Sequence, residues 1–529
     1  MGLMLCIGLI GIAWSVLKLK MPECRYLYAT IIVFALALSL QGILQYTGLM
    51  PNGRNSFAVT GNFDNPAGFA AALVCIFPLC LLFFTDNNKY LRYAVIAVAA
   101  IMATAVFLSG SRAGMMAVAA AVVAWLLVKS KIVNQKSKII LFVLLTALPV
   151  VLYFFKKDSA DGRLLIWRCT LDMIADKPVM GHGHGAFQAK YMLYQAAYLD
   201  AHPDSKYTQL ADNVLYPFNE YLLILAEHGI IGISVITFFV FLLVRAYRRN
   251  PSGEKLTALL SLLALAMFSF FSYPFRYPFT WVILFIILLG FQNTAGFTHG
   301  FVQKFIQNLR PAMFWKHSRS IARITVFLLS AGLLAYTVML TRAEITWNRI
   351  ARQSLAGQTL KVLPEYNKLY PLLGENGLFL YNHAAELHEA KEYERSIAVF
   401  ERCTQYFNDM DVQMLLANNF KELGMYTEAE QHLKTAVAMC PVRFMPLYKL
   451  VKLYEACNRK DEALAMAKKI IEKDVKIPSP AITTIMNEMR QLLEAQETSN
   501  VSERDRTSDE PKNNKTRQGE TSHGTALPP

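Results

Sequence analysis

Residues 91–129 read LRYAVIAVAAIMATAVFLSGSRAGMMAVAAAVVAWLLVK. The runs 91–108 and 113–129 are almost wholly apolar and close to the about 20 residues a helix needs to cross a bilayer. Between them lies a short turn of small and polar residues at 109–114. This is the pattern of a membrane hairpin, and it makes the chain one to be searched for further spans. Arg112 sits in the turn, where a charge is costly unless it snorkels to the interface or faces a polar cavity. Gly110, Ser111 and Gly114 leave room for a ligand to approach the backbone there, so Arg112 reads as a cavity residue, with an interface anchor as the simpler alternative.

Composition agrees. A chain of 529 residues with 54% hydrophobic, 17% charged and 12% aromatic residues is an integral membrane protein with a soluble appendage. Apolar runs at roughly 2–17, 27–48, 66–84, 91–108, 113–129, 138–155, 219–246, 256–273, 279–293 and 322–341 predict about ten spans. The basic connections KLKMPECR, NNKYLR, KSKIVNQKSK, RAYRRNPSGEK and KFIQNLRPAMFWKHSRSIAR all fall on one side. The formal charge of +14 therefore sets orientation and does not mark a nucleic-acid partner. The opposite side, the periplasm in a bacterium, receives the loop 49–65, the turn 109–114, the polar stretch 156–218 and everything after Thr341. The eight cysteines show no Cys-x-x-Cys spacing, and no metal site is implied.

From about Leu378 the period changes. HAAELHEAKEYERSIAVFERC, LANNFKELGMYTEAEQHLKTAVAMCP and LVKLYEACNRKDEALAMAKKII align on Tyr393, Tyr426 and Lys460, and on Ser396, Ala429 and Ala463. This resembles tetratricopeptide repeats, whose small residues let two helices pack closely and whose stacked units share one core. The repeats read equally as a docking surface for a protein partner and as a rigid cap. The expected fold is all-α: a polytopic membrane helical domain of about ten spans over 1–345 with a large periplasmic loop at 156–218, then a tetratricopeptide-like α-solenoid over 346–495. The polar residues 496–529 are expected to be a disordered tail.

Candidate chemistry gathers in the longest polar interruption, from KKDSADGRLLIWRCTLDMIADKPVMGHGHGAF to DNVLYPFNEYLLILAEHG. Arg163 and Arg168 flank Trp167 on an amphipathic segment suited to the membrane surface. Guanidinium groups hold phosphate oxygens bidentately and stay charged, so Arg112, Arg163 and Arg168 suit a pyrophosphate at the membrane face. Attraction to anionic lipid headgroups explains Arg163 and Arg168 as well. In GHGHGAF, His182 and His184 at i and i+2 are a weak metal signal without a third ligand, and a general base or a plain turn fits better. His202, Asp212 and Glu220 are further acid/base candidates, with Asp204 beside them. In GNFDNPAGFA, Asn62, Asp64 and Asn65 precede a span and also make a good helix start.

Taken in order, GNFDNPAGFA, LSGSRAG, RLLIWRCTLDMIADKPVMGHGHGAF and NEYLLILAEHGIIG resemble the O-antigen ligase family of bacterial membrane glycan transferases over about residues 55–245. The resemblance implies an enzyme of the bacterial inner membrane with a cavity open to the periplasm. There a polyprenyl diphosphate-linked glycan passes its sugar chain to an acceptor, without metal, nucleotide sugar or other cofactor. It implies that Arg112 and Arg163 hold the diphosphate, with Arg168, Ser111, Trp167 and Asn219 near them. The family carries His before the Asn that opens the helix after the loop, as the activator of the acceptor hydroxyl. Here Phe218 precedes Asn219, so His184, His202, Asp212 or Glu220 has to supply the base. The acceptor is lipid A-core, a growing glycan or a protein. The competing class is a transporter or a membrane scaffold that recruits partners through its repeats. Transporters tend to have broken helices and polar residues at mid-span, whereas here the polar groups gather at one face.

Overall fold

The computed structural model describes residues 21–52, 57–129, 157–291 and 315–508, with a few single positions elsewhere. Among these residues all regular structure is helical, and the chain is a multi-pass membrane protein. The organising helix is α2 (Pro66–Phe83), which follows α1 (Met21–Tyr46). The Asn65 side chain starts α2 by accepting the Ala67 and Gly68 N–H groups at 2.8 and 3.0 Å, and Pro66 stands where no N–H is needed. Nearly every residue after that is apolar, so α2 has no polar face to show and is buried all round. Around it pack α1, α3 (Lys89–Leu108), α4 (Arg112–Lys129), α8 (Gly253–Ser269) and α9 (Pro278–Leu288). Small residues permit the close approach: a Cβ on Gly114 of α4 would lie 3.1 Å from that of Ala70 and 2.8 Å from Val106.

Six described helices are long and apolar enough to cross a bilayer, at Arg25–Tyr46, Pro66–Phe83, Lys89–Leu108, Arg112–Lys129, Glu220–Arg249 and Ile324–Leu355. The runs 2–17 and 138–155 fall almost wholly outside the described residues. The runs 256–273 and 279–293 make α8 and α9, of 17 and 11 residues, shorter than the expected spans. Helix α8 ends early because residues 270–277 leave the helix to form a loop that proves to be part of the site, and α9 gives way to a 3-10 turn at Leu289–Phe291.

Between α4 and the later spans lie α5 (Lys157–Asp176) and α6 (Ala186–Ala201), and the chain re-enters the bundle at α7 (Glu220–Arg249). The run 219–246, expected as one span, is broken: Gly229 inside α7 has φ 60° and ψ −161°. Residues 230–249 alone supply the about 20 residues a span needs, so the turns before Gly229 are released to pack on α5 and α6.

The next helix, α10 (Trp315–Leu355), runs straight through the expected domain boundary at 345/346. Nothing in TRAEITWNRIARQSL breaks a helix, and the chain turns only at Gly357 (φ 79°). Helix α11 (Thr359–Leu373) packs back on α10, and helix pairs follow: α12 (Gly377–Glu389) with α13 (Tyr393–Cys403), then α14 (Met410–Glu422) with α15 (Tyr426–Met439). In a second compact unit, which begins at Arg443, α16 (Met445–Ala456) pairs with α17 (Lys460–Ile471). The sequence alignment holds residue by residue. Tyr393, Tyr426 and Lys460 each open a second helix, and Ser396, Ala429 and Ala463 are its buried contacts. Each first helix ends at a left-handed residue, Lys391, Gly424 or Asn458, the usual way a chain leaves a helix to start another. The last helix, α18 (Pro480–Ser508), packs on α17 and carries helix into the stretch from Glu497 to Ser508 that was expected to be disordered. Neither Gly nor Pro interrupts it before Pro511.

The first repeats are fastened to the loop. Gln195 of α6 is fully buried and donates to Met439 O at 2.8 Å and Asp212 O at 3.1 Å, while Tyr191 donates to its carbonyl at 2.9 Å. Asn213 donates to Asp411 at 3.0 Å and accepts the Met410 N–H at 3.2 Å. Asn408 N–H donates to Gln188 O at 3.1 Å.

Candidate functional site

The bundle directs several helix N-termini toward one region. Helices α2, α4, α7 and α9 all start there, beside the 270–277 loop or α5. N-terminal N–H groups and the helix dipole favour an anion at such a place. Arg112 is the first residue of α4, after Ser111, whose buried hydroxyl accepts the Gly114 N–H at 3.2 Å. The Arg112 guanidinium donates to Ser159 Oγ on α5 at 3.1 Å. Ser159 and Arg163 are four residues apart and so share one face of α5. Arg163 in turn donates to Phe271 O at 2.9 Å and lies over the Phe218 ring, 5.0 Å from its centroid. Burial first, and then the charge of Arg112, press Arg163 down to about 10, so it remains a cation at neutral pH. Two guanidinium groups are thus held side by side in a half-buried setting, where their mutual repulsion favours an anion between them.

A third arginine joins them that sequence reasoning missed. Arg276, in YPFRYPF, lies over the Tyr216 ring at 4.8 Å and 3.9 Å from the Asp64 carboxylate. Tyr273 stacks on Tyr216 at 5.0 Å and meets Phe218 at 5.3 Å, which joins the Arg276 and Arg163 ends of one aromatic floor. Burial raises the Tyr273 hydroxyl, which accepts from Asn65 at 3.2 Å. The only early sign of this corner was Asp64 and Asn65 in GNFDNPAGFA. Arg276 itself lay in the short connection between the expected spans 256–273 and 279–293, which gave it no partner.

The other candidates fall as follows. Trp167 donates from its indole to Pro217 O at 2.8 Å and packs near Phe271, so it props the segment that carries Phe218. Asn219 caps α7 by accepting from Tyr221 and Leu222. Glu220 is buried beside the loop, where its carboxylate accepts the Phe275 N–H at 3.2 Å, one residue from Arg276. Arg168 is not brought to the arginines. Five residues beyond Arg163 it lies about 140° round the helix, exposed and paired with Asp172 at 3.3 Å. His202 is exposed at the end of α6, bonded to Tyr198 O at 2.9 Å and stacked on its ring. Asp212 sits in the fastening between α6 and the repeats.

GHGHG makes a second cluster. Gly181 and Gly229 bring two backbones into contact: His182 N–H and Gly183 N–H donate to Ala226 O and Glu227 O at 2.9 Å each, and Ile230 N–H donates to Pro178 O at 2.9 Å. A Cβ on Gly181 would lie 2.4 Å from Glu227 C, and one on Gly229 would lie 2.2 Å from Val179 O. His182 is turned inward and bonds Met173 O at 2.8 Å. His184 is turned outward, with Nδ1 3.4 Å from Glu227 Oε2, and its hydrogen bond to Glu227 raises it above the ordinary histidine range.

Residues 97–237 match the O-antigen ligase family. The match to this family runs from α3 into α7 and takes in Arg112, Arg163, Phe218, Glu220 and the GHGHG cluster. Asp64, Tyr273 and Arg276 lie outside the matched residues. Phe218, immediately before the Asn219 cap, occupies a left-handed position (φ 54°) under the Arg163 guanidinium. No curated protein matches the chain. The crystal structure of yeast Tom70 aligns over 90% of this chain and 97% of its own at 10% identity and a TM-score of 0.23, too slight a likeness to carry an argument.

Proposed function

We propose that the chain is a membrane glycosyltransferase that moves a glycan from a polyprenyl diphosphate carrier to an acceptor on the periplasmic side of the bacterial inner membrane. The observation that carries this reading is that Arg112, bonded to Ser159 of α5, stands within electrostatic reach of Arg163 one helical turn further on, at a place where helices start and the O-antigen ligase match falls. The acceptor hydroxyl attacks the anomeric carbon, the bond from that carbon to the diphosphate oxygen breaks, and the leaving diphosphate takes up negative charge. Preformed cations that meet the charge as it develops lower the barrier. Arg112 and Arg163 fill that role, with Arg276 as a third contact, so the transfer itself calls for no metal or nucleotide. Of the four acid/base candidates, Glu220 is the one buried next to the arginine-bearing loop, and we assign it to take the acceptor's proton.

Orientation supports the same side. Lys89, Arg92, Lys129, Arg248 and Arg249 stand at the helix ends away from the site, which is the cytoplasmic pattern. This charge pattern supports a periplasmic position for the site and the loop. The fastening of α14 and α15 to α6 favours a cap over the loop for the first repeats, with lipid A-core, a glycan or a protein as the acceptor beneath it.

The test is transfer by the purified full chain in lipid. Arg112→Ala and Arg163→Ala are expected to reduce it at least a hundredfold with the protein still folded in the membrane. Transfer within a few fold of wild type in both would sink the clamp. A deletion strain then names the acceptor: a lost lipopolysaccharide ladder, single-repeat lipopolysaccharide or unglycosylated proteins mark the three in turn.

A further inference from the structure

Glu227 is buried (7% exposed), and two imidazoles from different parts of the chain face it. His184 arrives from the GHGHG turn with Nδ1 at 3.4 Å from Oε2, and His228 follows Glu227 on α7 with Nε2 at 3.9 Å from the same oxygen. The two rings lie 5.8 Å apart and 14° from parallel. One ligand atom from each residue falls within 4.8 Å of the other two.

We propose that His184, Glu227 and His228 form a binding site for a divalent transition-metal ion of the zinc class, with water in the fourth position. Two imidazole nitrogens and one carboxylate oxygen are a zinc ligand set, and a zinc–nitrogen bond of about 2.0–2.1 Å sets ligand atoms about 3.3 Å apart in a tetrahedron. The 3.4 Å pair already meets that spacing, the gap between the two imidazoles closes by rotation of His184, and the 3.9 Å gap to Glu227 closes by rotation of His228, both of which are exposed. Buried Glu227 supplies the negative charge that two neutral imidazoles lack. Coordination through Nδ1 of His184 leaves its Nε2–H pointing to water, with no buried donor to satisfy. The backbone also fits: the turn is already bonded to the α7 break at His182 and Gly183, so little chain entropy remains to be lost when the ion binds. The ion would clip the turn 181–185 to the break at Gly229 and fix the first turns of α7, which carry Glu220. This does not rest on the diphosphate reading, since a metal clip serves any activity of the loop.

The experiment uses the untagged full chain in detergent, stripped by a chelator and titrated with Co(II) and then Zn(II). The expected result is one Co(II) per chain with visible d–d absorption, displaced by Zn(II), and a rise in melting temperature on adding zinc. His184→Ala and His228→Ala should each weaken binding at least tenfold and abolish the thermal rise, while His202→Ala, at an exposed histidine outside the cluster, should bind as wild type. Absence of stoichiometric binding overturns the proposal. So does equal affinity in His184→Ala, which removes only an exposed side chain, or an equal loss in His202→Ala.

Discussion

Arg163 is asked to do three things at once: donate to Phe271 O, lie over Phe218 and stand beside Arg112. A planar, forked cation can do this and an ammonium cannot, so Arg163→Lys should cut transfer at least tenfold while the protein keeps its melting temperature. Phe218 supports a second residue-scale prediction. Its φ of 54° strains a bulky side chain, and histidine enters that region more readily than phenylalanine. Phe218→His should therefore fold with no loss of melting temperature, and a gain of transfer to lipid A-core would mark the base that the family uses. Arg112 and Arg163 were legible in the sequence because a charge at the edge of hydrocarbon needs a reason to be there. Arg168 looked equivalent to Arg163 because spacing alone does not phase a helix until its packed face is known. Arg276 was passed over because it stands in a five-residue connection between two expected spans, and only the folded 270–277 loop turns it toward Tyr216.

At the scale of elements, the break in α7 positions both Glu220 and Glu227, and glycines permit it. Gly181→Ala would place a methyl group on the Glu227 backbone at φ 70° and should destabilise the loop by about 1–3 kcal/mol. Limited proteolysis of 178–185 in the membrane-embedded protein measures this, and an unchanged cleavage rate would remove the contact from the account. The sequence half hides the break, because 219–246 is apolar over most of its length despite Glu227 and His228, and a single Gly in such a run does not announce a positive φ. The repeats were legible to the residue, since their small-residue spacing is itself the packing rule. Their tuning was not legible. Asp409 caps α14 by accepting the Val412 N–H at 3.0 Å, and burial raises its carboxyl to about 6 from 3.8. Its contribution to stability is therefore fully present below about pH 4 and lost as pH rises through 6. Asp409→Asn keeps a capping oxygen without the buried charge, so it should raise the melting temperature at pH 7.5 and leave it unchanged at pH 4. A loss at pH 7.5 would show that the charge is used.

At the scale of the molecule, α6 joins the membrane half to the first repeats, and its central residue is Gln195. Gln195→Ala would leave Met439 O and the Tyr191 hydroxyl without their partner, at about 1–3 kcal/mol for each buried group left unsatisfied. Hydrogen exchange should then rise together in α6 and α15. Exchange confined to α6 would mean that the repeats stand independently of the loop. Helix α10 continues through the expected boundary at 345/346, and the fastening at Gln195 and Asn213 involves residues more than 190 positions apart, which no local pattern encodes. The central claim is the arginine clamp, and release of polyprenyl diphosphate from a lipid-linked glycan by the reconstituted full chain tests it most directly. The account predicts release by the wild type and at least a hundredfold less from Arg112→Ala and from Arg163→Ala at equal protein in the membrane. Release at wild-type rate from either folded variant would contradict it.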